Sequence, residues 1–455
     1  MNMKSTHSWL RNLALGAVCM MAASAWGASI TVDGINYTTS VDRTTHENVA
    51  TVARYTVKPD TIWYTGDIVI PEYVNYNGVD YKVTATAANA FLNCKDLTSL
   101  QLPATCVTIG RSCFKGCTSL IISPVPVTAT SIGTGVWNGC TAMEELTIPT
   151  AWDGPMVGDD LAGCTGLKRL IFPESPNTFI MNFDAYGKVA ADRVADKSIE
   201  ELTILRNVAA RESDANNLQP FHNLTALRTL TLGGQFTTIT ATMFQGCSAL
   251  QQVVFNDGNL VNAIGNNAFK ACSSLQSFTY PDAVTTVEAN VFNGCSLLSN
   301  VTLGNATTSI GDGAFQGCVS LTSIALPATL QSIGAQAFQN TGLTGDLVLN
   351  DGLRSIGSQA YASTKVASIT IPASVTSIGN AAFAPITTLA AITVAAGSEN
   401  FKAENGLLTN LAGTRLLVTA HKGDIGTTLD NATIQTVQQA LANVDQLKLG
   451  FKLSK

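Results

Sequence analysis

The chain has 455 residues, of which 13% are charged, and a formal net charge of −6. So low a charge beside an ordinary apolar share, against about 25% charged in soluble domains, excludes a disordered chain. The mild acidity disfavours nucleic acid and anionic membrane as partners.

Residues 1–27 read as an export signal peptide. Lys4 and Arg11 precede or flank the apolar run Leu13 to Ala23, and Ala25-Trp26-Gly27 is a small-x-small cleavage site before Ala28. That run is too short to cross a bilayer. No later segment approaches about 20 consecutive apolar residues, so no transmembrane segment is expected in the mature chain. Val18 stands before Cys19 where a lipoprotein signal needs a small residue. Residues 28–86 are β-rich, with Ile30/Val32, Val52, Ile68/Ile70 and Tyr81/Val83 as inward pairs, and are expected to cap the first repeat.

Residues 87–395 carry self-similarity with a period near 23 residues. Phe91, Phe114, Trp137, Phe244, Phe269, Phe292, Phe315, Phe338, Tyr361 and Phe383 share one phase. In the clearest copy Ile310-Gly311 is followed by Ala314-Phe315, Cys318 and Leu321, the apolar face of a short helix. Ile324 and Leu326 then alternate as a strand, and Pro327 turns the chain. Neither face is buried by one coil alone, so coils must stack, with one unbroken parallel sheet expected from about residue 97 to 395. Inward strand pairs such as Leu100/Leu102, Leu146/Ile148, Leu170/Phe172, Leu202/Ile204 and Leu230/Leu232 follow the register. The long spacings after 170 and 202 place insertions near 174–197 and 206–219, the first carrying Phe179, Met181, Phe183 and Tyr186. Residues 396–455 are read as divergent C-terminal repeats or a cap, with Ala440, Leu441, Val444 and Leu447 resuming the helix phase.

Two surfaces are candidates for binding. Outward strand positions form an uncharged, hydroxyl-rich strip that includes Thr231, Thr279, Thr302 and Thr370. Threonine also favours exposed strands for its own sake, so the strip is open to a purely structural reading. The insertion aromatics Phe179, Phe183 and Tyr186 are the other candidate, as anchors or as cover for the core. Acidic residues are nearly absent from outward strand positions, with Glu145 and Asp346 far apart, so the two facing carboxylates of a glycan hydrolase are not expected. No catalytic residue, metal or cofactor is expected. The four His are scattered, and there is no paired Cys-x-x-Cys unit.

Cys94, Cys117, Cys140, Cys164, Cys247, Cys272, Cys295 and Cys318 take one inward position in successive coils. They read as a ladder of buried thiols. Parallel Cβ directions on stacked coils are poor disulfide geometry, and Cys106 and Cys113 are the best candidates for any bridge.

The recurring I-G-x-x-A-F-x-x-C-x-x-L-x-x-I-x-L-P unit resembles the BspA-like leucine-rich-repeat surface proteins. So do the segment Tyr64 to Pro71, with Tyr76 to Val83, and the late Asn400 to Leu408. The resemblance covers essentially residues 30 to 455. It implies an α/β repeat fold, a right-handed leucine-rich-repeat solenoid, in an exported or surface-displayed scaffold with no catalytic residues. Some relatives act as adhesins, so the implied partners are host extracellular matrix proteins or bacterial surface proteins, with glycan as an alternative. A structural envelope or matrix role fits the same pattern. The sequence departs from the pattern at the Cys position, which becomes Leu224, Thr341, Thr364 and Ile386, and no C-terminal anchor is recognisable after residue 430.

Overall fold

A computed structural model describes residues 27–54, 64–157, 160–182, 198–210, 221–413 and 416–419. The signal-peptide assignment, Phe183, Tyr186 and the coil expected from Ala440 fall outside the described residues, apart from Gly27. The chain divides into two compact units, Met1–Pro220 and Phe221–Lys455.

In the first unit Ala28–Val32, Ile35–Val41 and Asn48–Val52 pair antiparallel in succession, and Asn48–Val52 runs parallel to Val79–Thr86. Tyr73–Tyr76 joins Val79–Thr86 as a hairpin. Its two-residue turn is Asn77-Gly78, with φ of 54° and 79°, the left-handed pair such a turn requires. The inward side chains Tyr37, Ala50, Val52 and Val83 are buried.

Two parallel ladders run through the repeats. The first holds the strands expected from the alternating pattern: Gly66–Val69 with Leu97–Gln101, then Glu145–Thr147 with Arg169–Phe172 and Glu201–Ile204. The second is built on the dipeptide before the ring. Val79–Thr86 pairs with Thr108–Ile109 and that with Ser131–Ile132, while Met156–Val157, Phe179–Asn182 and Val208–Ala210 form a further stretch. In the second unit this ladder joins Thr286–Val287, Ser309–Ile310, Ser332–Ile333, Ser355–Ile356 and Ser377–Ile378. The glycine after each Ile lets backbones touch. A Cβ at Gly357 would lie 2.3 Å from the backbone nitrogen of Ala335, and the Gly357 N–H donates to Ile333 at 2.7 Å.

The expected helix does not form, and no α-helix occurs among the described residues. From Gly313 to Leu321 the chain is a run of tight turns. Cys318 donates its N–H to Phe315 O at 3.1 Å and Leu321 to Cys318 O at 3.0 Å. Gly313 and Gly317 take φ of 61° and 76°, which interrupts helical dihedrals twice per repeat. The alternate N–H groups of Gly313, Phe315 and Gly317 point to the next repeat, reaching Ala335, Ala337 and Gln339 carbonyls at 2.8, 2.8 and 2.9 Å. A donor committed to a neighbouring repeat is lost to an i→i−4 bond, so the apolar spacing of one helical face is met by turns instead.

The unbroken sheet is also corrected. In the second unit the first ladder falls into Thr229–Leu232 with Gln252–Phe255, Ser277–Thr279 with Asn300–Thr302, and Thr344–Val348 with Lys365–Ile371 and Ala391–Val394. One break lies between Gln252–Phe255 and Ser277–Thr279, where the rings of Phe255 and Phe278 meet edge-on at 5.7 Å. At the other, Ile324 and Leu326 are only half-buried and form no strand. The next strand bends there through a bulge at Gly345/Asp346. The unit closes with an antiparallel sheet, Phe401–Glu404, Leu407–Asn410 and Leu416–Thr419.

Stacked rings form the core. Phe221, Phe244, Phe269, Phe292, Phe315, Phe338, Tyr361 and Phe383 follow one another with centroids 5.1 to 5.8 Å apart, close to the repeat spacing of the strands.

Candidate functional site

Strand alternation sends Phe278, Val301 and Ile369 into the core of the second unit, which forces their neighbours outward. Thr279, Thr302 and Thr370 are exposed, with Ser277 and Asn300 beside them, whereas Thr231 is half-buried. The strip is partly self-satisfied: the Thr370 and Thr393 hydroxyls lie 2.9 Å apart, and Ser368 donates to Asp346 Oδ1 at 2.5 Å. Val348, 77% exposed, stands in register with Thr370. The face is therefore rich in hydroxyls, with Asp346 exposed on it and the Thr370 hydroxyl already paired to that of Thr393.

The insertion candidates fare differently. Phe179 is fully buried, edge-on to Trp152 at 5.1 Å and Phe172 at 5.3 Å. It belongs to the second ladder, in register with Val208, and Met181 is buried with it. Phe179 is thus core, not a surface anchor. Part of the stretch expected as the first insertion is an ordinary ladder strand, Phe179–Asn182, and residues 183–197 lie outside the described residues. Above the Phe179 ring sits the guanidinium of Arg206, 4.8 Å from its centroid. Arg206 is fully buried and donates to the carbonyls of Pro149, Thr150 and Trp152 at 3.2, 3.3 and 3.0 Å. Burial lowers its pKa, with Asp153 opposing the shift. Its sequence setting held no signal of that role.

Glu145, Arg169 and Glu201 occupy one register row of the first unit, with Arg169 Nε 2.8 Å from Glu145 Oε2. Glu201 stands one residue before the inward Leu202, so the same alternation places it outward. The row is an ion-pair column with a cation between two carboxylates, unlike the open acid pair of a glycosidase. Beside it the repeat at residues 120–125 holds no strand, only a bridge from Ile122 to Glu145. Ser123 turns toward the core there and accepts the indole N–H of buried Trp137 at 2.9 Å. Ile121 and Ile122 are left exposed, the latter at 71%. The missing member between Leu100/Leu102 and Leu146/Ile148 was the available sign.

All ten described cysteines are buried free thiols. Cys117, Cys140, Cys164, Cys247, Cys272, Cys295 and Cys318 each donate S–H to the carbonyl of the preceding repeat's ring residue, at 3.0 to 3.3 Å. Thr341 and Thr364 bond instead within their own repeat, to Phe338 and Tyr361 carbonyls at 2.8 and 2.9 Å. Burial pushes the thiols of Cys106, Cys164 and Cys318 up to about 12, so they are poor nucleophiles. Among the described residues no cluster of His, Cys, Asp and Glu is placed to hold a metal ion, and no helix is long and apolar enough to cross a membrane.

No curated protein sequence matches the chain. Among solved structures it is similar to a leucine-rich repeat protein from Bacteroides ovatus, at 22% identity over 80% of this chain and 94% of that one, with a TM-score of 0.37. It is also similar to a leucine rich cell surface protein from Faecalibacterium prausnitzii, at 20% identity over 81% and 95%, with a TM-score of 0.31. The profile of the BspA type leucine rich repeat region matches in six copies over residues 79–183, 214–344 and 285–405. With well over half its length matched in this way, the chain belongs to the BspA type leucine-rich-repeat family.

Proposed function

We propose that the chain is an exported, cell-surface scaffold without catalytic activity, a right-handed solenoid that binds host extracellular proteins or the surfaces of other cells. Its contact surface is the outward strand face of the second unit, centred on Thr279, Thr302 and Thr370. The strands Ala28–Val32 to Val79–Thr86 serve as an N-terminal cap. The observation that carries the reading is the contrast between a core sealed by stacked rings and buried thiols and an outward strand face lined with hydroxyls, Thr279 in register with Thr302 and Thr370 with Thr393. Such a face supplies area and hydrogen bonds, and weak contacts sum along it. No exposed aromatic ring stands on the described strands of that face to stack a sugar, which favours protein over glycan.

The test is to apply purified protein lacking residues 1–27 to an array of matrix proteins, bacterial surface proteins and glycans. Saturable binding to a protein supports the reading. Binding to glycans alone transfers the surface to carbohydrate, and binding to nothing on the array leaves the envelope or matrix role as the better account.

A further inference from the structure

The cores take up almost all of the aromatic rings, and the exceptions stand together. Among the described residues Tyr73 and Tyr76 are 51% and 40% exposed, while every other phenylalanine, tyrosine and tryptophan is at least half-buried. Both lie on Tyr73–Tyr76, an edge strand of the first unit that among the described residues pairs only with Val79–Thr86. Val74 is buried, so alternation sends Tyr73 and Asn75 to the outward face and Tyr76 to the opposite one. The two faces differ. Tyr76 is in register with Val79, itself 38% exposed, which makes its side apolar. On the outward face Tyr73 is in register with Lys82, and Asn75 with Asp80. Asn75 Nδ2 donates to Asp80 Oδ1 at 2.7 Å, and Lys82 Nζ lies 3.7 Å from Glu47 Oε2.

We propose that the outward face of this hairpin binds a neutral carbohydrate. The Tyr73 ring lies under the C–H face of a β-linked hexopyranose, and Asn75, Asp80 and Lys82 meet its hydroxyls. A ring open to water offers a flat apolar surface whose electron-rich face attracts C–H groups. A sugar hydroxyl is donor and acceptor at once, and the side chains beside the ring supply both functions: Asp80 accepts, and Asn75 and Lys82 donate. Asn75 stands two residues from Tyr73 on the same face, about 7 Å along the strand, so a pyranose resting on the tyrosine brings its hydroxyls to the amide and carboxylate. These polar groups are already tied to each other or to Glu47, so little side-chain freedom is lost when the sugar arrives. The ligand is neutral because the lysine already has its carboxylate. This site does not depend on the threonine face of the second unit and takes a different class of ligand.

The test uses the chain lacking residues 1–27 and two probes, cellotetraose and lacto-N-neotetraose, the latter ending in β-galactose, with binding read by isothermal titration calorimetry. The expected result is saturable binding of at least one sugar, unchanged as salt rises. Tyr73→Ala should weaken it at least about tenfold. Tyr73→Trp should keep it, since another ring restores the platform, and Asp80→Ala should weaken it several-fold by removing an acceptor. Tyr76→Ala should bind as the wild type does, because that ring is on the other face. These side chains are exposed, so far-UV circular dichroism should not change. No saturable binding of either sugar, full affinity in Tyr73→Ala, or an equal loss in Tyr76→Ala would overturn the proposal. So would sugar binding that survives Tyr73→Ala and is lost on substituting Thr279, Thr302 and Thr370, or a protein partner that is lost in Tyr73→Ala while neither sugar binds. If the sugar is lost in Tyr73→Ala and the array yields no protein, this site stands and the protein-binding face of the second unit falls. If neither sugar binds while an array protein needs the three threonines, that face stands and this inference falls.

Discussion

Phe315 sits between Phe292 and Phe338 with ring centroids at 5.6 and 5.3 Å and no solvent exposure. Phe315→Ala removes a ring that both neighbours lean on, and urea denaturation should show a loss of about 3 to 5 kcal/mol. A loss below about 1 kcal/mol would mean that the stack relaxes around the gap, or that the ring is not core. Tyr361 holds the same position two repeats on, yet its buried hydroxyl has no hydrogen-bond partner. Tyr361→Phe should therefore be neutral or stabilising, because it deletes an oxygen that was desolvated without compensation. A destabilised Tyr361→Phe would point to a bound water at that hydroxyl. The thiols add a pH dependence. Burial raises Cys318 to about 12, above the unfolded-chain value near 8.5, so the folded state keeps its proton longer. Stability is then complete below about pH 8.5 and is lost as pH rises toward 12, by up to about 1.4 kcal/mol per pH unit for each such thiol. Cys318→Ala should flatten that decline between about pH 8.5 and 10 by one thiol's share. Parallel slopes for the two proteins would contradict the burial of this sulfur.

At the scale of elements, the second ladder changes what the long repeats mean. Phe179 and Met181 are buried ladder residues, and Phe179 carries Arg206 over its ring. Deleting residues 174–197 should therefore lower the melting temperature markedly, where a surface loop would have left it unchanged. Unaltered melting after that deletion would contradict the placement of Phe179–Asn182 in the ladder. The repeat period, the ring and thiol positions and most inward strand pairs were legible in the sequence, because each is a side chain whose burial recurs every 23 residues or so. The turn segments were not. Apolar residues at i, i+1, i+4 and i+7 fit a helix equally well, and the deciding fact is where the N–H groups of Gly313, Phe315 and Gly317 go. A backbone donor leaves no mark in a side-chain pattern. The second ladder was hidden for a related reason, since two residues per strand are too few to show alternation.

At the scale of the molecule, outward strand positions differ in chemistry: Glu145, Arg169 and Glu201 are charged, whereas Thr279, Thr302 and Thr370 carry hydroxyls. Legibility differed too. The outward positions Thr279, Thr302, Thr370 and Glu201 could be read from alternation, whereas the exposure of Ile121 and Ile122 follows from a repeat that forms no strand. The hydroxyl-lined face bears the central claim, that this chain binds a protein through its outward strands. The most direct measurement is the affinity of the array-identified protein, by surface plasmon resonance, for the wild-type chain and for the Thr279→Arg, Thr302→Arg, Thr370→Arg variant. The account predicts at least about a tenfold loss with unchanged circular dichroism and melting, because three large cations would stand on a face that must be covered. Full affinity in the folded variant would contradict it.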